Sequence, residues 1–200
     1  MKLYLLPGCP FAHRASIALN EKQQRFEPVF FERGKRPREL EALGPMAKSP
    51  TLFDGDTKVF ESQVVLEYIE DRWSEPQLLP GAAAGRAEVR LFGARVAEEL
   101  MPKFGEIIRR VLFEPKRDEE KIAEAKKAFV DALEPWDKHF EGRNFAVGQQ
   151  LTLADVTLYP VFVAAQRVAG VDIPTERKHL RAWRDRIGAR PSAKPLQPNG

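Results

Sequence analysis

The stretch Pro7-Gly8-Cys9-Pro10-Phe11-Ala12-His13-Arg14 holds the only cysteine of the chain. It follows a short apolar run and precedes a helical pattern, so Cys9 falls where a strand would hand over to a helix. The start of a helix presents unpaired backbone N–H groups and the positive end of the macrodipole, and both favour a thiolate, the nucleophilic form of cysteine. Pro10 at the first helical position sacrifices no hydrogen bond. His13 and Arg14, one turn along, add positive charge, although Arg14 can equally face solvent or pin a loop. The opposing reading is a small buried hydrophobe. Gly8 before it, Pro10 after it and the strand-to-helix position favour the working thiol.

Ala12 occupies the position where a Cys-x-x-Cys motif would carry its resolving cysteine, and no other cysteine exists. A mixed disulfide at Cys9 must therefore be resolved by an external thiol, and glutathione is the abundant cytosolic one. Two further segments suit a peptide thiol. In Lys48-Ser49-Pro50-Thr51, Pro50 at the start of a strand predicts either a cis turn that leaves the Ser49 backbone to pair with an extended peptide, or an ordinary turn. Glu61-Ser62 opens a helix, where free N–H groups and the hydroxyl take a carboxylate, or where Ser62 is simply part of a cap. Three scattered histidines and one cysteine offer no metal-ligand spacing.

The elements that must position these residues follow from periodicity. Lys2 to Leu6 reads as a strand, Pro10 to Glu21 as a helix, and Phe26 to Phe31 as a second strand. Thr51 to Phe53 and Lys58 to Phe60 flank an Asp-Gly turn and read as a hairpin, and Ser62 to Arg72 as a helix. A βαβ half followed by a ββα half is the thioredoxin-type arrangement. Residues 1–73 form this domain, 74–85 ("SEPQLLPGAAAG") a linker, and 86–200 an all-helical domain, making the fold class α/β plus all-α. In the helical half, Arg86 to Arg110 contains Pro102 as a kink or break, and Asp118 to Phe140 a Pro135 that bends or ends the helix. Thr152 to Ala169 is apolar enough for the middle of a bundle, and Arg177 to Ala189 closes the set. Thr152 and Asp155 spell a capping box, flanked by Leu151 and Val156 as a staple. Trp136 and Trp183 read as ordinary core.

At 200 residues, 43% hydrophobic and 30% charged, the chain has the material for real cores. The net charge of +3 combines 32 basic and 29 acidic residues, mixed along the chain. That pattern calls for no nucleic acid. The apolar start is too short for a signal peptide and nothing approaches a membrane span, so a soluble, cytoplasmic protein is expected, and a single cysteine without an intramolecular disulfide suits a reducing compartment.

"CPFAHR", "KSPTL", "ESQVVLEYIEDRW" and "LTLADVTLYP" occur in the order and spacing of the cytosolic glutathione S-transferase superfamily, which the chain resembles over essentially its whole length. The Cys-Pro-Phe-Ala-x-Arg segment is most similar to the cysteine-containing, omega-like type. The resemblance implies a thioredoxin-like glutathione-binding domain, a helical domain for the second substrate, and a homodimer. It implies thioltransferase or dehydroascorbate reductase activity, with glutathione as cosubstrate and a small electrophilic or disulfide substrate as partner. It makes Cys9 the nucleophile, lines the pocket with Phe11, pairs the Ser49 backbone before cis Pro50 with the cysteinyl part of glutathione, and gives the γ-glutamyl end to Glu61 and Ser62. Arg36, or Lys35 beside it, meets the glycyl carboxylate. Ser49 and Lys48 depart from the family's usual apolar residues, and no long N-terminal extension of the omega kind precedes the first strand. Conjugation of glutathione to small electrophiles, or a non-catalytic binding or scaffold role on the same fold, are the alternative functions.

Overall fold

The computed structural model describes residues 1–198, which divide into two compact units. The first comprises Met1–Leu78 together with the segment that begins at Arg190; the second is Leu79–Ala189.

In the first unit, β1 (Lys2–Leu5), α1 (Pro10–Glu21), β2 (Glu27–Phe30), a single turn α2 (Arg38–Glu41), β3 (Thr51–Asp54), β4 (Thr57–Phe60) and α3 (Ser62–Arg72) follow in order. The sheet runs β2-β1-β3-β4. β1 pairs parallel with β2, Tyr4 opposite Val29, and antiparallel with β3, Tyr4 opposite Thr51, while β3 and β4 form the hairpin. Leu3, Tyr4 and Leu5 are all buried, as befits a strand covered on both faces. α3 buries Ser62, Val65, Leu66, Ile69 and Glu70, a stripe at helical spacing, and packs on α1.

A buried ion pair closes this unit. Lys22, just past α1, meets Glu70 of α3 at 2.5 Å and donates to the Pro76 carbonyl at 2.7 Å. The Glu70 carboxylate also accepts from the Leu78 backbone N–H. With charge neutralised and hydrogen bonds supplied, the desolvation cost of both groups is offset. This explains why the unit ends later than residue 73. Leu78 and Leu79 are buried, so a stretch with linker composition carries two core leucines, and its last residues already belong to the next helix.

The second unit is helical: α4 (Ala83–Arg95), α5 (Met101–Ile108), α6 (Glu119–Asp131), α7 (Glu134–His139), α8 (Leu153–Ala169) and α9 (Lys178–Gly188). Wide π turns, Val96–Leu100 and Arg109–Phe113, precede and follow α5. Of the kink or break read from the sequence at Pro102, the structure shows no break: a widened turn sits immediately before it and absorbs the missing N–H. Pro135 falls in the first turn of α7, after α6 has ended, where no intrahelical donor is required. Pro160 lies inside α8 without ending it. Phe140 stacks on Trp183 at 4.5 Å, and Trp136 meets Phe92 edge-on at 5.4 Å. Both tryptophans are core.

Candidate functional site

Cys9 caps α1 with extended backbone (φ −70°, ψ 119°), and Pro10 occupies the first helical position. The loop is tied at both ends: Cys9 N–H donates to Leu6 O at 3.2 Å, and Cys9 O accepts from His13 N–H at 3.0 Å. The thiol is half-buried, and Sγ lies 3.9 Å from the Ser49 carbonyl oxygen, at the edge of sulfur hydrogen-bond reach. The Ser49–Pro50 bond is cis. The Ser49 hydroxyl accepts from Leu6 N–H at 2.9 Å, so the polar residue at this position, unexpected from the family pattern, holds the end of β1 and the start of the Cys9 loop.

Across from this loop, Glu61 precedes α3 at φ 66°, ψ 115°, in the left-handed region that side chains rarely adopt, and makes no side-chain cap. Ser62 follows as the first residue of the helix. Its hydroxyl accepts from Arg14 Nη1 at 3.4 Å. Phe11, Met46, Lys48, Ser49, Pro50, Glu61 and Ser62 line a cavity of about 210 Å³. Phe11 is 37% exposed and Met46 54% exposed, giving the cavity an apolar side opposite its polar one.

Five sequence-predicted residues thus meet in one cavity: Phe11, Ser49, Pro50, Glu61 and Ser62. Cys9 adjoins it through Ser49. Arg36 lines a second cavity of about 460 Å³ with Leu6, Phe31, Arg33, Glu41 and the shared Lys48 and Ser49. Arg36 Nη1 already donates to Gly44 O at 3.0 Å and Ala47 O at 3.2 Å, so much of its hydrogen bonding fastens the segment between α2 and β3. Lys35 pairs with Glu32 at 2.6 Å on the surface. His13, to which the sequence assigned no role, is buried, with Nε2 2.9 Å from the Ala193 carbonyl. Sequence reasoning missed Met46, which carries no motif, and left Arg14 undecided. The three-residue spacing of Phe11 and Arg14 places both on one helix face, a signal that was available.

In and beside the cavity lie a thiol at one helix start, the Ser49 backbone before a cis proline, and a second helix start able to take an anion. Among the described residues no group of three or more His, Cys, Asp or Glu side chains is placed to hold a metal ion, and no helix is long and apolar enough to cross a membrane.

Comparison with known proteins gives this arrangement its family. Residues 3–77 match the family described as glutathione S-transferase, N-terminal domain, and 119–186 the glutathione S-transferase, C-terminal domain. Glutathione S-transferase 3 of Zea mays is 30% identical over 96% of this chain and 90% of its own length. A probable glutathione S-transferase, GSTU6, of Oryza sativa subsp. japonica is 30% identical over 100% and 89%. The crystal structure of a glutathione S-transferase from Rhodospirillum rubrum F11 superposes with a TM-score of 0.88 at 26% identity, covering 100% of this chain and 92% of that one. With the two-part fold and both family domains matched, the chain belongs to the glutathione S-transferase family.

Proposed function

We propose that the protein is a glutathione-dependent thiol transferase or reductase acting through Cys9. The observation that carries this reading is the position of the thiol, at the start of α1 and 3.9 Å from the Ser49 carbonyl that borders the cavity. Family membership supplies glutathione as cosubstrate. In the proposed cycle the Cys9 thiolate attacks the glutathionyl sulfur of a mixed disulfide, the old S–S bond breaks, and the substrate leaves as a thiolate that takes up a proton. A second glutathione thiolate then attacks the Cys9–glutathione disulfide, releasing oxidised glutathione and restoring the Cys9 thiolate. Phe11, Ser49, Pro50, Glu61 and Ser62 bind the peptide in this scheme, with Arg36 toward its glycyl end. The cysteine-containing, omega-like type, a homodimer and a cytoplasmic location belong to the same proposal.

Conjugation of glutathione to small electrophiles is the second reading, favoured by the relatives that are named S-transferases. Glutathione-dependent reduction of a small mixed disulfide, followed in wild type and Cys9→Ser, separates the two. Thiol transfer requires turnover in wild type that falls more than about a hundredfold in the variant, as expected on losing a covalent nucleophile. Conjugating activity that survives Cys9→Ser, without disulfide reduction in either protein, establishes the second reading. Binding of glutathione with neither activity leaves the non-catalytic role.

A further inference from the structure

Arg14 is only 3% exposed, although a buried guanidinium is costly unless its surroundings compensate. Its Nη1 reaches the Ser62 hydroxyl, and its Cζ lies 5.0 Å from the centre of the Phe11 ring, a cation–π distance. Burial pushes its pKa down to about 10, against an upward pull from the negative charge of Cys9. The group therefore stays charged at neutral pH.

A hydroxyl has one proton and two acceptor lone pairs. With an Arg14 N–H filling one lone pair of Ser62, the hydroxyl proton is left for another acceptor, and Ser62 lines the cavity. The same guanidinium packs on Phe11, two residues from Cys9. We propose that Arg14 is a positioning residue whose fixed charge sets the Ser62 hydroxyl as a donor toward the cavity and draws anionic reactants to Cys9. Only the identity of the ligand, glutathione, rests on the function proposed above.

Two measurements separate this role from that of a buried cation that merely ties α1 to α3. The first needs no glutathione. Cys9 is alkylated with iodoacetate and with iodoacetamide; in both, the thiolate forms an S–C bond as iodide leaves, and only the reagent's charge differs. The single cysteine makes the reading specific. The iodoacetate-to-iodoacetamide rate ratio is expected to fall about three- to tenfold in Arg14→Met and to be retained in Arg14→Lys. The second is calorimetric titration with glutathione. Arg14→Met is expected to weaken binding about five- to tenfold, and adding Ser62→Ala to it should cost little more, because both act through one hydroxyl.

An unchanged alkylation ratio in Arg14→Met, or fully additive losses in the double variant, overturns the proposal. Should Arg14→Met fail to fold, Arg14→Gln repeats both comparisons. A wild type that does not bind glutathione refutes the ligand assignment, while the alkylation ratio still decides the role of Arg14.

Discussion

Glu61 holds a conformation that costs a non-glycine residue about 1–3 kcal/mol, and its exposed side chain makes no cap for α3. A carboxylate that does not serve its own helix, kept at a strained φ beside the cavity, is expected to serve a ligand. Glu61→Gly removes both strain and carboxylate. Relief of strain outweighs the extra chain entropy of glycine, about 0.5–1 kcal/mol, so thermal stability should hold or rise while glutathione affinity falls about tenfold. Reduced stability with unchanged affinity would show that Glu61 supports the helix instead. Cys9 and Ser62 were legible because both stand at helix starts that periodicity locates. The strain at Glu61 was not, since hydrophobic patterns carry no information about the sign of φ. Nor was the engagement of Arg36: the sequence shows a run of cations, and only loop geometry brings the Gly44 and Ala47 carbonyls to one of them.

At the scale of elements, the capping box of α8 does more than start a helix. The Asp155 carboxylate accepts from Thr152 N–H at 2.9 Å, from Ala146 N–H at 2.8 Å and from Trp183 Nε1–H at 2.7 Å, joining α8 to the preceding loop and to α9. Burial pushes its carboxyl pKa up, with the bonds from Trp183, Ala146 and Thr152 pulling the other way. Asp155→Ala leaves four buried donors, the Thr152 hydroxyl among them, without their acceptor, each costing about 1–3 kcal/mol. Urea denaturation should show a loss of at least about 3 kcal/mol, with Asp155→Asn intermediate because its one carbonyl oxygen replaces only part of the set. A loss below about 1 kcal/mol would mean that water substitutes for the carboxylate. The box itself was readable from Thr152 and Asp155, as were the bounds of α1 and α3, which follow from apolar spacing. The π turns around α5 were not, because each is a single turn of five residues, too short for apolar spacing to identify. The bonds to Ala146 and Trp183 depend on how distant segments pack, which spacing within one helix does not encode.

At the scale of the whole chain, the unit that carries Cys9 is built from both ends of the sequence, a pairing across some 170 positions that no local pattern announces. Arg190 meets Glu21 at the end of α1 through two hydrogen bonds of 2.8 Å, the Ser192 hydroxyl donates to the same carboxylate, and Ala193 O lies 2.9 Å from His13 Nε2. Burial alone pushes the Glu21 carboxyl up, but the hydrogen bonds from Arg190 and Ser192 and the charge of Arg190 outweigh it and hold its pKa below the ordinary value. A carboxyl depressed in the folded state adds stability that is fully present above its unfolded value, about 4.3, and is lost as pH falls through the folded value. Glu21→Gln should therefore be less stable than wild type by about 1–3 kcal/mol at pH 7, and the gap should close in acid below about pH 4 as the wild-type carboxylate takes up its proton. Hydrogen exchange should place the loss in α1, the helix that carries Glu21 and His13. A gap that persists undiminished to pH 3 would show that packing of the segment after Arg190, rather than its charge on Glu21, holds the thiol-bearing helix in place.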